Sequence, residues 1–313
     1  MQYIQYIIPG KNAMYTCHYA NLFDSRYNKI DIGRRRGERF LNTLFDANLR
    51  GKVAIVRGGG DLATGVIYRL WRTGFKVLCL EREYPLVVRG PVSVATAVFE
   101  GMHIVEGMRS VLVNSPDGWR ADGDAVAVMI DPDGECISRV APTVLVDAIM
   151  AKRYTGTHRN MAPLVLALGP GFDAPSQVHG VIETQRGHYL GRLITQGSAV
   201  SNTGIPGTVM GYSTERILRA PVNGRVEPVL SIGDQVEKGG LIARIGDAEV
   251  RSAISGVLRG LIHPRVLVER GMKIGDVDPR GVREHCFSIT DKALAVAGGV
   301  LEGVARFISF GSL

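Results

Sequence analysis

The sequence predicts an α/β fold carrying a small all-β module and a final helix. Three observations lead to that reading: a complete strand, glycine turn, helix and strand unit over 52–81, an internal repeat beginning at Leu218, and apolar residues at helical spacing from Ala293 to Ile308. With 313 residues and 45% hydrophobic content, the chain is globular and long enough for more than one core.

Val53 to Val56 is a short apolar run that reads as a buried strand. It stops at Gly58-Gly59-Gly60, where missing Cβ atoms permit a tight turn and the close approach of another group. Leu62, Val66, Leu70 and Trp71 then fall at helical spacing, giving a helix over Asp61 to Arg72 whose free N–H groups face the glycine loop and attract anions. Gly74 ends the helix, Lys76 to Leu80 is the second strand, and Glu81 at its end is placed to accept hydrogen bonds from ribose hydroxyls. The spacing Gly58-x-Gly60-x-x-Ala63, with Glu81 about twenty residues on, fits the dinucleotide fingerprint in its Ala-ending form. The α/β part therefore reads as a Rossmann-like nucleotide-binding domain, with Gly58, Gly59, Gly60, Asp61, Ala63 and Glu81 as candidate cofactor-binding residues. A doubly wound domain that binds no nucleotide would use the same tight turn.

Four segments are expected: an extension over 1–50, the α/β domain over 51–212, the β module over 213–282 and a C-terminal helical segment over 283–313. The extension has scattered Tyr, Asn and Arg and one short helical pattern at Arg39 to Asn48. Beyond Glu81, Ser93 to Glu100 reads as a helix capped by Ser93. Strands are expected at His103 to Val105, Ser110 to Val113, Ala125 to Ile130, Val144 to Val146, Leu164 to Leu168 and Val178 to Ile182, with a turn at Asp131 to Gly134 and a helix starting near Asp147. Leu168-Gly169-Pro170-Gly171 places a second glycine loop directly after an apolar strand, the ligand-facing edge of an open parallel sheet. Glu183, Arg186, His188 and Arg192 follow close together and suit an anionic ligand, although ordinary surface polarity around a turn has the same appearance. Gly169, Gly171, Arg186, His188 and Arg192 join the candidate cofactor-binding set. The Ser-, Asn-, Gly- and Pro-rich stretch from Gly197 to Gly211 reads as a long loop.

In the repeat, Arg219 to Val226 aligns with Arg251 to Leu258, and Val236 to Gly239 with Val268 to Gly271, both at an offset of 32 without a gap. Two such short-stranded copies bury a core only by pairing, which predicts a quasi-two-fold β unit. Its elements resemble the barrel-sandwich hybrid of biotinyl and lipoyl domains. Those carriers attach their cofactor to a hairpin lysine. The connection here, Gly246-Asp247-Ala248-Glu249, has none, so a scaffold or docking role is expected. In the tail, Thr290 or Ser288 caps the last helix, Asp291 sits in its first turn, and Gly298-Gly299 permits close packing against another backbone. Cys286, just ahead of that helix, is the cysteine nominated for chemistry, because a thiol at a helix N-terminus can have its pKa lowered. A buried structural cysteine is the plainer reading of the same residue.

The net charge is +7, with a basic run at Arg34-Arg35-Arg36-Gly37-Glu38-Arg39 that reads as a solvated tail; no nucleic-acid partner is expected. Cys17, Cys79, Cys136 and Cys286 form no CxxC pattern, and His179, His188 and His285 lack tight ligand spacing, so no metal site is expected. A reducing cytoplasm fits the cysteine usage. Neither a membrane span nor a secretory signal is expected.

Taken in order, RGGGDLATGVIYRL, LVDAIMAKR, MAPLVLALGPGF, VIETQRGHYLGRLI, NTGIPG, the lysine-free repeat and CFSITDKALAVAGGVLE resemble the accessory proteins of selenium-dependent molybdenum hydroxylases, the YqeB type. The resemblance runs from about Lys52 to Val304 and leaves residues 1–50 outside it. It implies maturation of a molybdenum enzyme, with its molybdenum cofactor expected in the glycine loop; the fingerprint and Glu81 leave an NAD(P)-like nucleotide as the other cofactor expectation. The implied partners are the hydroxylase and the selenium-donor machinery; because chalcogen transfer requires a nucleophilic thiolate, Cys286 is the expected carrier of selenium or sulfur. Oligomeric state is left open. An NAD(P)-dependent oxidoreductase and a non-catalytic scaffold or chaperone docking the apo-hydroxylase are the competing expectations.

Overall fold

The computed structural model describes residues 5–6, 15–16 and 49–313, apart from 120–123, 203, 205 and 206. The chain divides into two units, Met1–Leu44 and Phe45–Leu313. In the first, Gln5–Tyr6 pairs antiparallel with Tyr15–Thr16. The helix expected over Arg39 to Asn48, the basic run and Cys17 lie outside the described residues.

The second unit is built on a nine-stranded sheet. Its strands are β1 (Val53–Arg57), β2 (Lys76–Glu81), β3 (Met102–Val105), β4 (Met108–Leu112), β5 (Val126–Ile130), β6 (Val144–Asp147), β7 (Leu164–Leu168), β8 (Gly180–Ile182) and β9 (Leu193–Ile194), in the spatial order β9-β8-β7-β6-β1-β2-β5-β4-β3. All neighbours are parallel except the outermost pair at each edge, β3 with β4 and β8 with β9. The order reverses at β1, which lies between β2 and β6, and in open α/β sheets a crevice forms beyond the strand ends at such a point.

Two helices cover one face. The α1 helix (Asp61–Arg72) buries Ala63, Val66, Ile67 and Leu70, and α2 (Asp291–Phe310) buries Val296, Ala297, Val300 and Val304 into the same core. The Thr290 hydroxyl caps α2 by accepting from the Ala293 N–H at 3.1 Å, as expected of that residue. Long and apolar enough by composition to cross a membrane, α2 here lays its buried residues against α1 and the sheet. The opposite face of the sheet is covered by Trp119, Ile137 and Phe172 from single-turn helices and loops.

Two sequence expectations are corrected. The segment from Ser93 to Glu100 contains a 3-10 turn, Val94–Thr96, and one α turn, Ala97–Glu100, because the Ser93 hydroxyl donates back to the Arg89 carbonyl at 2.8 Å instead of capping. No helix starts at Asp147. Its buried carboxylate is held by the hydroxyls of Thr155 and Thr157, each at 2.6 Å, and fastens the following loop to the sheet end.

The β module follows. Ile217–Arg219, Lys273–Asp278, Gly256–Leu261 and Gln235–Val236 form a four-stranded sheet, with two smaller sheets beside it. The registers obey the repeat: Gly224 pairs with Val268 as Gly256 pairs with Val236, and Leu218 pairs with Gly275 as Val250 pairs with Ala243. Each partner is displaced by the same 32 residues in opposite directions, so the module has a quasi-two-fold axis. Its core is Val226, Ile242, Ile245, Leu258, Val268, Ile274 and Val277.

Glycines set how closely α2 approaches. A Cβ on Gly65 would stand 2.7 Å from the Ala293 carbonyl oxygen, and one on Gly299 would stand 2.1 Å from the Gly191 carbonyl oxygen, whereas Gly298 meets nothing within 4 Å. Gly299→Ala is expected to cost about 1–3 kcal/mol by forcing backbone apart. Gly298→Ala is expected to gain about 0.5–1 kcal/mol by removing a helix-interior glycine. Shifts of opposite sign in denaturant midpoint check the pair; equal shifts would contradict this packing.

Candidate functional site

A cleft of about 1190 Å³ opens where the ends of β1, β2 and β6 meet the start of α2 and the β module. Its floor is the glycine loop. Gly58, at φ 94°, donates its N–H to the Leu80 carbonyl at 2.7 Å, and a Cβ there would stand 2.9 Å from the Ala148 carbonyl oxygen. The Gly59 N–H donates to the Glu81 carboxylate at 2.9 Å, and its carbonyl accepts from the Ala95 N–H at 3.0 Å. Thr64, fully buried, donates its hydroxyl to the Gly60 carbonyl at 2.9 Å and accepts from the Val94 N–H at 3.0 Å. The loop is thus fastened from behind.

Gly60 is the N-cap of α1, and the first intrahelical bond runs from the Thr64 N–H to its carbonyl at 2.8 Å. The N–H groups of Asp61, Leu62 and Ala63 therefore have no acceptor within the helix, and all three residues line the cleft. Glu81 lines it too. Burial pushes its carboxyl above the ordinary carboxylate range, against the pull of the Arg82 and Gly59 N–H groups. Beyond it, Tyr84, Leu86 and Val87 offer an apolar wall, with Tyr84 and Leu86 about two-fifths exposed.

The remaining walls are cationic. Arg57, Arg82, Arg89, Arg186, Arg216, Arg259, Lys273, Arg280 and Lys292 face five carboxylates, Asp61, Glu81, Glu83, Asp276 and Asp291. Arg89 is bonded to Asp61 at 2.7 Å and to the His285 and Ser288 carbonyls at 2.9 and 3.2 Å. The Nε atoms of Arg57, Arg89, Arg216 and Arg259, one Asp61 oxygen and His285 Nδ1 are buried with no partner, and all six residues line this cleft. Buried polar atoms are normally satisfied, so their concentration here fits a ligand bearing both acceptors and donors. The lining carries an excess of cationic side chains. Among the described residues no group of three or more His, Cys, Asp or Glu is arranged to hold a metal.

Of the residues nominated from sequence, Gly58, Gly60, Asp61, Ala63, Glu81 and Arg186 come together in the cleft. Arg186 is half-exposed and paired with Asp291 at 3.2 Å. Gly59 supports the loop from beneath. Gly169 and Gly171 lie outside the cleft lining; their missing Cβ atoms make room for the Thr184 hydroxyl and the Arg153 backbone. His188 and Arg192 pack on the exposed Tyr189 ring at 5.0 and 4.8 Å, also outside it. Arg89, Arg216, Arg259, Lys273, Arg280 and Lys292 were not nominated. The one local signal was an arginine inside the otherwise apolar strand Gly256–Leu261, buried throughout its length.

Over 262 residues the chain is 43% identical to the uncharacterized protein YqeB of Escherichia coli strain K12. The two are homologues. The match covers 83% of this chain and 48% of that protein, so the chain spans about half the length of the curated relative it matches. No protein-family model matches. Solved structures with partial likeness include an aspartoacylase family protein from Mesorhizobium loti, 13% identical with a TM-score of 0.24, covering 73% of this chain and 85% of that one. Another is the ectoine utilization protein EutE (DoeB) from Ruegeria pomeroyi, 12% identical with a TM-score of 0.23 over the same shares. Likeness at that level carries no argument about function.

The activated thiol expected at Cys286 is corrected. The side chain is fully buried with Sγ 3.7 Å from the Leu258 carbonyl, and burial pushes its pKa above the ordinary thiol value although Arg259 and Arg89 pull the other way. It lies outside the cleft lining. Alkylation by iodoacetamide at pH 8, mapped by peptide mass spectrometry, should be at least about tenfold slower at Cys286 in the native protein than in the urea-unfolded chain. Equal rates would show an accessible thiolate.

Proposed function

We propose that the cleft binds a phosphorylated ligand of nucleotide or molybdopterin type, and that the protein is an accessory factor maturing a selenium-dependent molybdenum hydroxylase in the cytoplasm. The observation carrying the binding step is the unpaired N-terminus of α1 beside a pre-fastened glycine loop, in a cleft with nine cationic side chains against five carboxylates. Helix N-termini and guanidinium groups both favour phosphate. On this reading the α/β unit is Rossmann-like: the phosphate lies against Asp61 to Ala63, Glu81 accepts from ligand hydroxyls, and the ligand's ring lies along Tyr84 and Leu86. The β module, read as a barrel-sandwich hybrid, carries no attachment lysine in its two-residue turn at Gly246-Asp247 and acts as cleft wall and docking surface. The molybdenum and selenium assignment is supported by the ordered motifs from Lys52 to Val304. The cofactor is cargo here, and the chain's part is to hold it, orient it and keep water from its phosphate end. Cys286 takes no part in binding.

Glu81 at the end of β2 also favours a second reading, an NAD(P)-dependent oxidoreductase. Isothermal titration with NAD, NADP, nucleoside di- and triphosphates and isolated molybdenum cofactor separates the two. Gly60→Val places a side chain at the cleft floor, where an added Cβ meets Val87 at 3.6 Å, an ordinary contact. Affinity should fall at least about tenfold in that variant, and should decline with added salt in the wild type. Undiminished binding by Gly60→Val would remove the glycine loop from the site, and preference for NAD(P) with hydride exchange would favour the oxidoreductase.

A further inference from the structure

Asp276 on the module's wall of the cleft and Asp278 in the same strand each accept their short hydrogen bonds from one arginine, leaving another beside them without any. Asp276 accepts from Arg216 Nη2 at 3.0 and 3.2 Å, and Asp278 accepts from Arg280 Nε at 2.9 Å. Arg259, in the strand Gly256–Leu261, stands 3.8 Å from Asp276 and 3.7 Å from Asp278, beyond hydrogen-bond reach. It is 9% exposed and its Nε has no partner. Asp276 and Asp278 pair with it only at these longer distances and Asp61 also favours its charge, while Arg89 repels it and Lys273 and Arg216 share its wall. A buried guanidinium whose ion pairs are long and whose Nε has no partner gains from an anion that reaches it with short hydrogen bonds.

We propose that Arg259, Lys273 and Arg216 form a second phosphate subsite, supplied by the β module in the same cleft as the α1 N-terminus, so that the protein selects ligands with two or more phosphate groups. One phosphate meets the α1 N–H groups and the next meets Arg259. The module thereby becomes part of the ligand site instead of a distant appendage. Inorganic polyphosphates and nucleotide diphosphates share this chemistry. The inference rests on the nucleotide reading only for the neighbouring first site.

The test is isothermal titration of the full chain with inorganic phosphate, inorganic pyrophosphate, AMP and ADP, for the wild type, Gly60→Val, Arg259→Gln and Lys273→Gln. ADP should bind at least about tenfold tighter than AMP, and Arg259→Gln should remove that preference while leaving AMP affinity unchanged. Pyrophosphate, which spans the two sites, should weaken about tenfold in Arg259→Gln and also in Gly60→Val. Lys273→Gln, at the exposed start of its strand, should show the same pattern with a smaller loss, and it decides the matter if Arg259→Gln does not fold. Pyrophosphate binding without nucleotide binding would sink the nucleotide reading and keep the subsite. Absence of pyrophosphate binding to the wild type, or affinities unchanged in both module variants, would overturn it.

Discussion

The guanidinium of Arg89 is the contact on which the cleft depends. It is 5% exposed, and a buried cation is tolerated only where it is paired and hydrogen-bonded. Its partners come from separate parts of the chain: the Asp61 carboxylate at the first residue of α1, and the His285 and Ser288 carbonyls in the approach to α2. Removing it would leave the half-buried Asp61 unpaired at the helix start and free the segment that leads into α2. The same placement brings Arg89 beside Arg259 of the β module. One side chain thus joins the glycine-loop helix to the C-terminal helix while adding repulsion toward the module.

Backbone proximity gives that junction its rigidity. Gly65 lets α1 approach the Ala293 carbonyl, and Gly299 and Gly191 let α2 approach the end of β8. The first turn of α2 is therefore held against α1, and Thr290, Asp291 and Lys292 become cleft lining. Burial and the nearby Arg186 hold the Lys292 ammonium below its ordinary value, while Asp61, Glu183 and Asp291 oppose that shift. A phosphate in the cleft would favour its charged form.

Much of the fold was legible because its signals are local. The boundaries of α1 follow from an apolar stripe bracketed by Gly60 and Gly74, and the module's registers follow from a gapless repeat. The site was legible only in its local half. Gly58, Gly60, Asp61, Ala63 and Glu81 belong to one strand-helix-strand unit, whereas Arg89, Arg216, Arg259 and Lys273 meet through tertiary packing that no spacing announces. Gly169 and Gly171 illustrate the ambiguity of a glycine loop, since the backbone of Arg153 approaches Gly171 as a ligand would. At Cys286 the position ahead of a helix was visible, but the burial that sets its pKa was not.

The electrostatics of the module wall link ligand and stability. Asp276 and Asp278 fix Arg216 and Arg280 in place, and the Arg280 guanidinium holds the Asp278 carboxyl down to about 2 despite its burial. Those pairs remain intact at neutral pH without any ligand. Arg259 is the exception, since burial and Arg89 both pull its pKa down while the two aspartates only partly restore it. An anion that meets Arg259 relieves this imbalance in the folded state and finds no such arrangement in the unfolded chain, so binding and folding free energy are coupled. On the proposed reading, the excess of cationic over acidic side chains in the lining is what an anionic ligand would offset.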